Sequence, residues 1–358
     1  MLNTLEAMEI LIGIIVLAAM FDFINGFHDA ANSIATVVTT RVLTPGQAVL
    51  WAAGFNFVAF FIAKFIIGEF GIADTVSKIV VPQEGMNILP IIFIGLMSSV
   101  IWNLITWWFA IPSSSSHTLI GSLSGAAIAA AGLGAVHIKT VLVIAAFIFV
   151  APILGMIGGY FITILTMHLA KRVKPKRADK WFKMLQLVSS AFLSITHGLN
   201  DSQKEIGVIS CALIAYTSSH GTTGPEALPH WMMMTEFTTE QVHDWIPILC
   251  FTSIAVGTMS GGWKIMKTMG NRITKIAPME GFCAQTAGAI TLFITEMMKI
   301  PVSTTHVISG SIMGVGSVKR LSAVRWGVTL DLLTAWILTI PVSGLLAACL
   351  YGIFHFFF

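Results

Sequence analysis

The chain has 358 residues, 56% of them hydrophobic and only 10% charged, with a formal net charge of +3. A soluble domain carries about 25% charged residues, which excludes a water-soluble globular class. Apolar runs long enough to cross a hydrocarbon core of about 30 Å recur along the sequence. They are continuous and do not alternate with period two, so a β-barrel is excluded and an all-α polytopic membrane protein is expected.

In chain order, residues 7–40 open as an apolar run and turn polar at Asn25-Gly-Phe-His-Asp-Ala-Ala-Asn32. This run has no basic leading region and begins with Glu6 and Glu9, so it reads as structure and not as a cleaved signal. A second span covers 46–68, and a mainly acidic loop, 69–87, carries Glu69, Asp74, Lys78 and Glu84. Spans 88–110 and 113–133 follow, parted by Pro112, and a fifth covers 141–169. Residues 171–183 are the most basic segment, and a positive-inside bias places them in the cytoplasm. Short basic segments are ordinary topology signals, and no nucleic-acid partner is expected. The second half repeats the plan with spans 184–217, 246–268, 280–299, 303–317 and 326–352 and a polar loop at 218–245. Cys211, Cys250, Cys283 and Cys349 have neither metal nor redox spacing and read as small buried hydrophobes. Lys64 and Glu296 fall near span ends and are expected to snorkel, while Asn103 is a polar residue inside a span.

Two polar motifs occur twice. Shifting Thr196-His-Gly-Leu-Asn-Asp-Ser-Gln-Lys204 back by 172 residues sets Gly198 on Gly26 and Asp201 on Asp29. Pro301-Val-Ser-Thr-Thr-His306 echoes Pro112-Ser-Ser-Ser-Ser-His117, and Gly310 meets Gly121. The chain therefore divides into a first repeat, 1–170, a basic linker, 171–183, and a second repeat, 184–358. With five crossings per half and both termini outside, Arg41, the linker, the Lys264–Lys275 cluster and the Lys319–Arg325 cluster all fall inside. Both acidic loops fall outside. An odd number of crossings makes the repeats inverted. Inverted repeats whose polar, helix-breaking motifs sit near mid-membrane, on broken or re-entrant helices, mark secondary transporters.

Asp29 and Asp201 lie in apolar spans, where a charge costs about 2.5–3.5 kcal/mol on insertion scales. A bound cation, a proton or a paired base must offset that cost. Asn25, Asn32 and Asn200 add carboxamide oxygens, and Asn56 and Gln285 lie in neighbouring spans; oxygen ligands suit hard cations. Gly26 and Gly198 are expected to unwind their helices and offer backbone carbonyls. Ser113, Ser114, Ser115 and Ser116 after Pro112, and Ser303, Thr304 and Thr305 after Pro301, read as two helix starts. Free N–H groups and a partial positive charge of about +0.5 at each start would cradle an oxyanion. His117 and His306 close the two motifs, and Lys204 is the only basic side chain of the Lys/Arg type within the motifs. An anion held there would be repelled by both carboxylates unless a cation were bound with it, which points to coupled transport.

These four motifs, in this order, resemble those of the inorganic phosphate transporter (PiT) family, and in particular its bacterial low-affinity permeases. The resemblance covers nearly the whole chain. It implies a non-enzymatic symporter in the cell (inner) membrane that moves inorganic phosphate with H⁺ or Na⁺, alone or as a metal–phosphate complex, by alternating access. It assigns substrate and ion to Asp29, Asp201 and the two hydroxyl runs, with no resident cofactor. Sodium-coupled animal members carry Gly-Ala-Asn-Asp where this chain has Gly26-Phe27-His28-Asp29, and glutamates where it has Asn56 and Gln285. Both departures weaken the case for sodium. A sulfate permease of the same fold stays open, and so does the oligomeric state, with a homodimer among the options. An intramembrane Ser/His hydrolase is disfavoured because the adjacent Ser116 and His117 point apart on a helix. An anion channel is disfavoured by the paired carboxylates.

Overall fold

The computed structural model describes residues 4–262 and 273–357. Among these, the chain is helical with no strand, apart from one isolated bridge between Val80 and Val136. The helices are α1 (Thr4–Thr39), α2 (Pro45–Ile62), α3 (Gly71–Ser77), α4 (Ile88–Trp108), α5 (Ser115–Ala131), α6 (Ile138–Ala170), α7 (Pro175–His220), α8 (Trp245–Ser260), α9 (Pro278–Met297), α10 (Thr304–Lys319) and α11 (Trp326–Phe357). Five are long and apolar enough to cross a membrane: α1, α2 with its π-helical extension to Ile67, α4, α6 and α11. Their outer faces are apolar. Phe149, Ile153, Ile157, Phe161 and Leu165 recur every fourth residue along α6 and are all exposed, the pattern of a lipid-facing stripe.

Several expectations change. Spans 113–133 and 303–317 are helices of 17 and 16 residues, about 25 Å long, which is short of the ~30 Å core. Ser114 and Ser303 cap them, each accepting the N–H of His117 or His306, so α5 starts two residues after the expected boundary and α10 one residue after it. The basic segment is a loop only to Lys174; from Pro175 it forms the first turns of α7, where Lys183 pairs with Asp179 at 2.8 Å. The acidic loop folds into α3, which packs on α7. Lys264, Lys267 and Arg272 lie outside the described residues. Of the cysteines, Cys250 and Cys283 are buried, Cys211 is partly so, and Cys349 is exposed on α11.

The motif helices α1 and α7 run unbroken through Gly26 and Gly198. The expected unwinding does not occur, because these glycines serve close packing instead. A Cβ on Gly26 would sit 2.2 Å from the Ile254 carbonyl oxygen of α8, and one on Gly198 would sit 2.7 Å from that of Asn56 on α2. The breaks fall between α4 and α5 and between α9 and α10. Both turns have the same form: Ala110 and Lys299 take left-handed φ values of 55° and 59°. The N–H groups of Ile111 and Ile300 then return to the carbonyls of Thr106 and Thr295. Outside the membrane-spanning helices, Lys299 bonds Glu69 at 2.8 Å, which holds its ammonium above the ordinary lysine range.

Helices from the two halves are exchanged. α1 packs along α8 and α7 along α2, while α5 packs along α11 and α10 along α6. These crossings bring all four polar motifs to the interior, where they are buried.

Candidate functional site

The second hydroxyl motif meets the first carboxylate directly. Thr304 Oγ1 donates to Asp29 Oδ2 at 3.1 Å. Asn32, one turn along α1 from Asp29, donates to Thr304 and Thr305 at 3.2 and 2.9 Å. The other carboxylate oxygen, Asp29 Oδ1, lies 2.8 Å from His28 Nδ1, and His28 Nε2 reaches Thr106 on α4 at 3.4 Å. Thr106 in turn accepts from Ser113 at 3.0 Å, so the first hydroxyl run joins the same network.

The starts of α5 and α10 lie against each other. Ser116 Oγ donates to the Val302 carbonyl at 2.8 Å, and the rings of His117 and His306 are 4.9 Å apart. His306 also lies 4.1 Å from the Trp336 ring, and among the described residues neither of its ring nitrogens has a hydrogen-bond partner. Ser113 to His117 and Ser303 to His306 are all buried. Two helix N-termini meet here, ringed by hydroxyls; Ser114 and Ser303 already take one N–H at each, and the donors that remain suit an oxyanion.

Asp201 differs from Asp29. It takes a direct ion pair from the fully buried Lys204 one turn along α7. His197 Nε2 approaches it at 3.2 Å, and Asn25 of α1 donates to it at 3.2 Å. The expected phosphate ligand Lys204 thus stands on a carboxylate and not in the hydroxyl cradle. Ligand atoms of Asp29, His197 and Asp201 lie within 4.8 Å of one another, a group that could hold a metal ion. The two repeat-related aspartates are therefore neighbours.

Three amide residues sit elsewhere. Asn56 bridges Thr258 at 2.9 Å and His197 at 3.1 Å, which places it behind the carboxylates. Asn200 donates to the carbonyls of Thr196 and Leu292 and ties α7 to α9. Gln285 links Ser189 at 3.0 Å with the Ser33 carbonyl at 3.3 Å. Glu296 does not snorkel: it is 4% exposed and accepts from Gln203 at 2.6 Å, because its side chain faces α7 although the end of α9 itself is exposed at Met297.

Two acidic residues escaped the sequence reading. Asp22 and Glu205 are completely buried; among the described residues neither carboxylate oxygen of Glu205 has a hydrogen-bond partner, and Asp22 has only the Cys250 thiol. Asp22 lies in the electrostatic field of Glu205, Asp201 and Lys204 and against Cys250. The signal was available, since Asp22 is two helical turns before Asp29 and Glu205 one turn after Asp201, on the same faces.

A protein-family model described as "Phosphate transporter family" matches residues 25–347. The chain belongs to that family. A protein of Rhizobium meliloti (strain 1021) described as "Probable low-affinity inorganic phosphate transporter" is 44% identical over 349 residues, covering 96% of each chain. One of Bacillus subtilis (strain 168) with the same description is 39% identical, covering 96% of this chain and 97% of its own. A solved structure titled "The sodium-dependent phosphate transporter" superposes with a TM-score of 0.80, covering 98% of this chain and 100% of its own at 23% identity, a likeness of fold. The family consists of membrane transporters and not enzymes, which removes the hydrolase reading.

Proposed function

We propose that the protein is a secondary active symporter that imports inorganic phosphate with a cation, H⁺ or Na⁺, by alternating access of two inverted repeats. The carrying observation is the bond between Thr304 and Asp29: a hydroxyl of the anion cradle donates to a carboxylate of the cation cluster. Substrate and cation would then lie close together. An anion entering beside the adjacent Asp29 and Asp201 would meet their negative charge, and a cation bound there turns repulsion into attraction. Phosphate would take the hydroxyls and N–H groups at the starts of α5 and α10, and the exchangeable cation would take Asp29 with nearby amide oxygens.

The reciprocal exchange of helices between halves supports inverted repeats, and so do the two identically built turns at Ala110 and Lys299. Arg41, the 171–183 segment and Lys319–Arg325 would face the cytoplasm of a cell whose inner membrane holds the protein, with both termini outside. The test is uptake of labelled phosphate into proteoliposomes under separate Na⁺ and pH gradients. Uptake driven by one gradient alone names the cation. Phosphate flux that follows neither gradient refutes symport, and sulfate uptake in place of phosphate reassigns the substrate.

A further inference from the structure

The 172-residue offset that sets Asp201 on Asp29 also sets Lys204 on Asn32. The two halves therefore treat equivalent carboxylates differently. Asp29 receives a hydroxyl from Thr304 and a contact from its neighbour His28, and among the described residues no lysine or arginine pairs with it. Asp201 receives an ammonium from its own helix. Lys204 is fully buried and faces no solvent. The charged and titratable groups around it come from four helices: Asp22 on α1, His117 on α5, Asp201 and Glu205 on α7 with His197 beside Asp201, and Glu296 on α9; Cys250 of α8 lies beyond them, against Asp22. The hydrogen bond of this lone ammonium is made to Asp201 and to no hydroxyl of the cradle among the described residues.

We propose that the Lys204 ammonium is a tethered cation, permanently filling the Asp201 member of a repeat-related pair of cation sites and leaving only the Asp29 member for an exchangeable ion. The proposal rests on the symport reading. Electrostatics gives its reason. Two adjacent carboxylates and an incoming anion need two positive charges nearby, and one supplied by the protein need not be drawn from solution. Because Lys204 returns with the empty carrier, it adds no net charge to the cycle. An ion bound in its place would be released and would add one.

The test compares wild type with Lys204→Asn, which installs the first repeat's residue in the second. Labelled phosphate uptake into proteoliposomes is measured against external Na⁺ and H⁺ and against imposed membrane potential. The proposal expects Lys204→Asn to move one more positive charge per phosphate. Equilibrium accumulation would then gain a further tenfold for each ~59 mV of imposed potential. The cation dependence would also steepen by about one ion. Unchanged charge per phosphate with a raised phosphate KM would overturn the proposal and make Lys204 a substrate ligand. If Lys204→Asn is folded but inactive, Asp201→Asn is compared with the double variant Asp201→Asn/Lys204→Met. A tethered counter-ion predicts that the double variant recovers uptake and its dependence on the Asp29 cation at least tenfold over the single. Equal activity of the two sinks the idea. A wild type that ignores both gradients would refute symport itself, a separate result obtained before any variant is used.

Discussion

Thr304→Val is the sharpest probe of the site, because it removes one oxygen and keeps the side-chain shape. The lost hydroxyl donates to Asp29 Oδ2 at 3.1 Å and accepts from Asn32 at 3.2 Å; Asn32 keeps its bond to Thr305 at 2.9 Å. A hydrogen bond to a charged group contributes about 1.5–3 kcal/mol. At about 1.4 kcal/mol per decade, that is roughly a 10- to 150-fold loss of apparent affinity. Since this hydroxyl joins the cradle to the carboxylate, the loss should appear in the half-saturating concentrations of phosphate and of the driving cation alike. Binding linkage requires coupling between the two sites to be reciprocal. The assay is initial-rate phosphate uptake in proteoliposomes, titrating each solute at saturating levels of the other. A phosphate KM raised tenfold with cation dependence unchanged would refute the shared site, as would no change in either.

Asp29→Asn should abolish cation-driven uptake while leaving the protein monodisperse in detergent, because the amide keeps the shape but not the charge; wild-type uptake would remove this carboxylate from the mechanism. Gly26→Ala should destabilise the protein by about 1–3 kcal/mol, since the new methyl meets the Ile254 carbonyl and backbone cannot yield as a side chain does. Thermal unfolding in detergent measures this, and an unchanged midpoint would mean that α1 and α8 separate freely. Glu296→Ala should cost about 1–3 kcal/mol by stranding the buried Gln203 amide, again read as a lower unfolding midpoint. A surface-like, neutral response would restore the snorkelling reading.

The sequence carried the class and the four motifs because both are local facts: apolar runs of sufficient length, and a duplicated spacing of Asp, hydroxyls and His. Helix starts at Ser114 and Ser303 were legible for the same reason, since a capping hydroxyl and its N–H lie three residues apart. Asp22 and Glu205 were missed because comparing the halves finds only what occurs twice. Their counterparts at the same offset are Ser194 and Ser33, so each acid is present in one copy. The glycines were misread for another reason. A helical glycine permits either unwinding or close approach, and the choice depends on Ile254 and Asn56, which belong to helices distant in sequence. Glu296 likewise looked terminal along the chain, yet α7 covers it in space.

The exchange of helices has a consequence for how the protein is made. α1 finds its partner α8 only after roughly 200 further residues are synthesised, some 10–40 s at ribosomal rates. Over that interval Asp22, Asn25 and Asp29 have no α8 to pack against, and α5 likewise waits for α11. Biogenesis of the first half is thus unfinished until the second is inserted, and its polar helices need shelter at the insertion machinery in the meantime. A nascent chain arrested before α8 should be open to membrane proteases, and resistance should arise only as the last helix emerges.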